Sequence, residues 1–230
     1  MGILNLFKTN SIKTPEERRK ISNEKIKKMG IACLESLPII ESSSEVHLKN
    51  IDIICKKAIA TLIVTQIAID ASNGNYNMSK EHFDKYIYQY DVGNYFNEKE
   101  KRVINGEYTE QDLIDVAWEY EIYWSLVWAL GLIKDISVPS DICDCNLAIN
   151  LVFKCKNYEE FRNKVKLRNI EEILDILDLH YRYHWATTEK RINPDTSIGI
   201  LNPDVVVERR RGLEWLISEE SDWYNISLDT

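Results

Sequence analysis

Apolar positions recur along most of this chain at intervals of three and four, the period of an α-helix. The clearest stretch is Asn169 to Lys190, NIEEILDILDLHYRYHWATTEK. At about 100° per residue, Ile170, Leu174, Leu177, Tyr181 and Trp185 share one face, with Ile173 and His184 at its edge. That face is predicted core. A stripe of Glu171, Asp175, Asp178, Arg182 and Glu189 runs along its boundary with the polar side. Asn169, with Glu172 three residues on, supplies an N-cap for the helix.

The same reading extends along the chain. Residues 1–13 read as a flexible arm, after which Thr14-Pro15-Glu16-Glu17 gives a cap, a first-turn proline and a capping-box glutamate for a helix that stops at Gly30. From Leu48 to Asp70 a wide apolar stripe predicts a long core helix with Lys56 and Lys57 outside it. Ser79 is expected to cap a short helix ending at Gly93, and Asn97 with Glu100 to begin another. Thr109 then caps the most apolar stretch, 109–133, predicted as the central helix with Asp115 and Glu119 on its wet side. Residues 141–155 fit a buried helix or a strand, with helix preferred, and Asn157 caps a short helix to about Lys166. Asn202-Pro203 repeats the cap-plus-proline start, and Val205, Val206, Gly212, Leu213, Leu216 and Ile217 form the core face of the last helix. The expected fold is all-α, a compact array of about seven or eight helices with little or no strand. Residues 14–230 form its single domain.

Composition narrows the function classes. The formal charge is −8 and no extended basic face is present, so nucleic acid is excluded as a partner and a basic protein is favoured. Five scattered cysteines, an odd number, point to reduced thiols and a cytoplasmic location. The opening MGILNLFKTN is shorter and more polar than a signal peptide, and no window reaches the roughly 18 apolar residues of a membrane span.

Two charged residues fall at the centres of apolar helix faces, Glu121 on the central helix and Arg209 on the last. A carboxylate in such a place needs a partner, and a guanidinium can supply one bidentately, with Asp175 or Asp178 completing its donors. The product is a structural ion pair or a polar pocket that binds a ligand. The acidic residues Glu172, Asp175 and Asp178, three apart on one helix, and Asp112 with Asp115 on another, have the spacing by which helical pyrophosphohydrolases hold Mg²⁺. Solvated helix faces carry the same spacing, and Asp178 with Arg182 is equally an i,i+4 ion pair, worth about 0.5 kcal/mol or less at a surface. His180 and His184, one turn apart, raise zinc as the other metal, although His184 reads more simply as a hydrogen-bonded core histidine. No cofactor is predicted beyond these Mg²⁺ and Zn²⁺ possibilities. Trp215 falls off the apolar face of its helix, so it either packs on the C-terminal segment or marks an exposed contact.

Four motifs, WEYEIYWSLVWALG at 118–131, EEILDILDLHYRYHWA at 171–186, VVVERRRGLEWL at 205–216 and SDWYNISLDT at 221–230, together with GIACLESLP at 30–38, resemble the bacterial family known as domain of unknown function 4272. The resemblance runs from about Arg18 onward. It draws attention to Trp118, Glu121, Trp128, Asp178, Arg182, His184, Trp185, Glu208, Arg209, Trp215, Asp229 and Thr230, and implies no activity. It also implies that the terminal Asp-Thr belongs to the folded domain, with Asp229 or the terminal carboxylate meeting Arg209 or Arg182. The chain departs from the family pattern where Arg210 replaces a usual histidine and Tyr224-Asn225 replace an acidic pair after Trp223. Those departures count against that histidine and those acids doing chemistry here.

The expected function is therefore that of a cytosolic acidic helical binding module, of the immunity-protein kind that masks a basic partner. The competing expectation is a metal-dependent hydrolase of a phosphate-containing small molecule, working through Asp175 and Asp178. The candidate polar cluster is Glu121, Asp175, Asp178, Arg182, His184, Glu208, Arg209 and Asp229.

Overall fold

The computed structural model describes residues 12–230, so all of the expected arm but Ile12 and Lys13 lies outside the described residues. The described residues form nine α-helices and no strand. In order the helices are α1 (Pro15–Lys28), α2 (Ile51–Ser72), α3 (Tyr76–Tyr90), α4 (Glu98–Asn105), α5 (Glu110–Ala129), α6 (Cys145–Phe153), α7 (Tyr158–Arg162), α8 (Ile170–Ile192) and α9 (Pro203–Ile217). Two 3-10 turns, Gly93–Tyr95 and Trp223–Asn225, lie before α4 and after α9.

The long helices pack in the spatial sequence α3, α2, α5, α9, α8, α1, with α4 bridging α2 and α5. The two most apolar of the long helices, α2 and α5, thus lie inside the array, and the main core forms between them from residues such as Ile59, Ile63, Ile122 and Leu126. A second, smaller core of Ile26, Leu179, Tyr183 and Val206 joins α1, α8 and α9. Capping follows local chemistry: Thr14 with Glu17, Asn97 with Glu100 and Thr109 with Asp112 each close a reciprocal capping box.

One close approach sets the geometry of the centre. A Cβ at Gly212 would lie 3.0 Å from both the Ile122 carbonyl oxygen and the Ser125 Cβ, so only glycine lets α9 lie this near α5. The Ser125 hydroxyl donates to the Arg209 carbonyl at 3.0 Å across the same contact.

Several boundaries and faces differ from expectation. The central helix ends at Ala129 rather than Ile133, because the chain turns at Gly131, where φ is +75°. The Lys166 and Arg168 N–H groups satisfy the Leu130 and Ala129 carbonyls there, and the Arg168 Nε donates to the Trp128 carbonyl. Helix α3 begins at Tyr76 and not after Ser79, whose hydroxyl binds Asp70 instead of capping. It ends at Asp91, in a left-handed conformation, two residues before Gly93. Residues 145–153 are helical, as preferred, with Asp144 as the cap.

Three charged residues assigned to wet faces are buried. Lys56 donates to the Tyr90 and Asp91 carbonyls, capping the C-terminus of α3. Lys57 and Glu119 are buried together in the charged cluster described below. No helix among the described residues is long and apolar enough to cross a membrane.

Candidate functional site

Glu121 and Arg209 do pair. Because Gly212 brings α9 onto α5, the Arg209 Nε donates to Glu121 Oε2 at 2.9 Å between two almost fully buried side chains. The second Glu121 oxygen accepts the Cys143 N–H at 2.6 Å, and the Arg209 Nη2 donates to the Asp141 carbonyl at 3.1 Å. Neither Asp175 nor Asp178 joins them. The pair ties the loop before α6 to α5 and α9, and an apolar hollow of about 210 Å³, lined by Trp118, Ile142 and Cys145 among others, opens beside Glu121.

The acidic stripe of α8 is divided among separate cations. Asp175 accepts from Arg18 Nε at 3.1 Å and from Lys13 Nζ at 2.5 Å, and Glu171 accepts from Arg18 Nη2 at 2.7 Å. Asp178 takes Arg182 bidentately at 2.6 and 3.0 Å. That i,i+4 pair was expected at the surface and is buried, with Arg182 also reaching the Pro38 carbonyl. Glu172, half-buried, donates its N–H to the capping Asn169 Oδ1, and its carboxylate accepts from Arg168 Nη1 and Asn169 Nδ2. Asp112 and Asp115 are bound to Arg102 and Lys99. Among the described residues no three His, Cys, Asp or Glu side chains gather as a metal site would need.

The two histidines point to different partners. His180 is fully buried with Nε2 on the Ile136 carbonyl at 3.0 Å, and burial pushes its pKa down to about 3. His184 Nδ1 accepts from the Arg210 Nη1 at 2.7 Å; burial and then the Arg210 charge lower its pKa to about 4. Both are neutral rings held by hydrogen bonds. Glu208 pairs with Arg211 at 3.1 Å, away from Glu121, and burial raises its carboxyl above the ordinary value.

A second buried charged cluster lies between α2, α4, α5 and the C-terminal turn. Lys57 donates to Glu100 Oε2 at 2.5 Å and to the Tyr95 carbonyl at 3.0 Å, while its ammonium lies 3.9 Å from the Trp223 ring centre. Glu100 also caps α4, accepting the Asn97 N–H. Glu119, wholly buried, accepts from Tyr224 Oη at 2.9 Å and Trp223 Nε1 at 3.3 Å through one oxygen, and its other oxygen meets no donor. Burial holds its carboxyl far above the ordinary glutamate range, and the Glu100 charge adds to the rise more than Lys57 subtracts. Glu119 thus holds its proton to higher pH than an ordinary glutamate, beside the ion-paired Glu100. The reading of wet and dry helix faces missed this cluster; its one sequence signal was a pair of lysines, Lys56-Lys57, beside a wide apolar stripe.

Above this cluster is a cleft of about 750 Å³ between the start of α2, the turn before α4 and the segment after α9. Lys49, Lys57, Tyr95, Asn97 and Trp215 line it, with Glu98, Glu219 and Asp222 among its acidic members. Trp215, expected off the core face, is buried against Trp223, and its Nε1 donates to the Ser221 carbonyl at 3.1 Å. The alternative of an exposed contact is thereby corrected.

The profile of the family described as Domain of unknown function (DUF4272) matches residues 18–226. The chain belongs to that family. No curated protein and no solved structure matches it. Of the residues to which the resemblance drew attention, Glu121 and Arg209 meet at the α5–α9 contact, and Asp178, Arg182 and His184 lie along α8. Arg210, expected to depart from the family pattern, is structural, since its guanidinium holds His184 and the Leu228 and Asp229 carbonyls. The terminal segment therefore docks on Arg210, rather than on Arg209 or Arg182, and does so through backbone; the Asp229 carboxylate accepts from Ser227. Tyr224, the other expected departure, supplies the hydroxyl that binds Glu119.

Proposed function

We propose that this chain is a cytosolic helical binding module whose ligand enters the cleft beside the C-terminal segment. One observation carries the reading: the core ionisable residues that looked catalytic are closed into internal pairs, whereas the roughly 750 Å³ cleft presents cations, amides and rings to solvent. Hydrolysis through Asp175 and Asp178 would need carboxylates free to take a metal, and both are held by arginine or lysine. Five free cysteines support a reducing compartment. For any protein that docks at the cleft rim, the net charge of −8 favours a basic surface over an acidic one. The test is a small-molecule screen followed by the side-chain signals of Trp215 and Asn97. Saturable shifts confined to the cleft support the reading; compounds that bind only elsewhere refute it.

A further inference from the structure

Among the described residues the cleft carries a lysine without a counter-ion, a buried amide donor without an acceptor, and carboxylate oxygens without donors. Lys49 is the first case. Its ammonium donates to the Ser218 and Glu220 carbonyls and lies over the Trp215 ring, 4.9 Å from its centre, and it forms no ion pair among the described residues. Burial lowers its pKa, opposed by Glu219 and Glu220 from a distance. A cation held by neutral groups and partly withdrawn from water is one that an anion would stabilise.

Asn97 is the second. It is 8% exposed and lines the cleft. Its Oδ1 caps α4 by accepting the Glu100 N–H at 2.8 Å, which leaves the amide's other end, Nδ2, buried without an acceptor. An unpartnered amide donor in a cavity wall is a place for a ligand oxygen. Lys57 is not available for that purpose, because Glu100 and the Tyr95 carbonyl hold it.

The acceptors lie in the same lining. Among the described residues Glu219 is exposed and makes no hydrogen bond, and Asp222 uses only Oδ1, on the Tyr224 N–H. Glu98 is neutralised by Lys101 and Lys57 by Glu100, which leaves Lys49 facing Glu219 and Asp222. A dianion such as phosphate meets no net positive field there, whereas a ligand with one negative and one positive end meets a partner for each.

We infer that the cleft binds a small zwitterion, a free amino acid, with its carboxylate on Lys49 and Asn97 and its ammonium toward Glu219 and Asp222. The inference rests on the cleft being the binding site and goes beyond it by fixing the ligand's charges. Lys49, rather than an arginine fork, suits a carboxylate held as a point charge.

The experiment uses the full chain, isotope-labelled, titrated to millimolar concentrations with glycine, phenylalanine, 3-phenylpropionate, phenethylamine and inorganic phosphate. The amino acids lack neither charge, whereas 3-phenylpropionate lacks the ammonium and phenethylamine the carboxylate. The expected result is saturable movement of the Trp215 and Asn97 side-chain signals by an amino acid, at least about tenfold tighter than by either singly charged analogue. Lys49→Met should abolish that preference. Asn97→Ser should weaken it while the folded spectrum persists, because serine still caps α4 and lacks only the Nδ2 donor. If phosphate, phenethylamine or 3-phenylpropionate moves the cleft signals as tightly as the amino acids, the zwitterion assignment is wrong and the cleft reading survives. If no compound moves them, both fall.

Discussion

Replacing Glu119 with glutamine tests whether this carboxyl is buried as an acid. In the folded chain it faces Glu100 and receives Trp223 Nε1 and Tyr224 Oη, with a second oxygen that no donor reaches. Its folded pKa lies well above the ordinary 4.5, burial being the main cause. Between those two values the folded chain keeps a proton that the unfolded chain has released. Stability is therefore greatest below about pH 4.5 for this group and falls as pH rises toward the raised pKa, by up to about 1.4 kcal/mol per pH unit. In a chain of this length that slope corresponds to roughly 3 to 6 °C in Tm per unit.

The histidines act in the opposite sense. His180 and His184 have folded pKa values of about 3 and about 4, below the ordinary 6.5, so their contribution is complete above pH 6.5 and is lost as pH falls toward those values. Above neutrality their part is constant, and the difference between parent and variant reports Glu119. Glutamine keeps an acceptor for Trp223 and Tyr224 and presents an amide donor to Glu100, so Glu119→Gln should match the parent in acid and exceed it increasingly as pH rises from 4.5 toward the raised pKa. Denaturant melts at half-unit pH steps measure the difference directly. A variant that is destabilised at every pH, or whose alkaline slope equals the parent's, would refute the protonated acid. Glu100→Gln is the counter-experiment. It leaves the Lys57 ammonium buried without its carboxylate and should cost about 3 to 5 kcal/mol at neutral pH.

Three further outcomes are expected. Glu121→Met and Arg209→Met should each destabilise by about 3 to 5 kcal/mol, and the double variant should recover much of the loss, because it strands neither charge; unchanged melting of both single variants would sink the pairing. Gly212→Ala should cost about 1 to 3 kcal/mol by forcing α9 away from the Ile122 carbonyl, with Tm lowered and the Ser125 to Arg209 bond weakened; a neutral substitution would show that the contact is slack. Mg²⁺, Mn²⁺ and Zn²⁺ should leave Tm unchanged, whereas a rise that Asp175→Ala removes would restore the hydrolase reading.

The helices were legible because their signals are local. A cap three residues ahead of its partner, a proline in a first turn and an apolar stripe depend on neighbours, so α1, α8 and α9 could be placed to within a residue or two. Glu121 and Arg209 were legible for a different reason: each falls at the centre of an apolar helix face in the sequence, whereas the other buried charges lie at the edges of such faces or off them. Partner choice beyond that pair was not legible, because Asp175 and Asp178 lie one turn apart on α8 yet face α1 and Arg182. Glu119 shows the limit most clearly. On an isolated α5 it marks the polar side, and only the return of Trp223 and Tyr224 from the chain terminus closes that side from water. Lys57 was misassigned by the same logic, since a lysine at the edge of a stripe is normally wet, and it is buried here because α4 brings Glu100 over it. The cluster and the cleft above it are made by a segment that forms no long helix and carries no periodicity. A binding site built from such a segment can vary its ligand without disturbing the helix array that holds it.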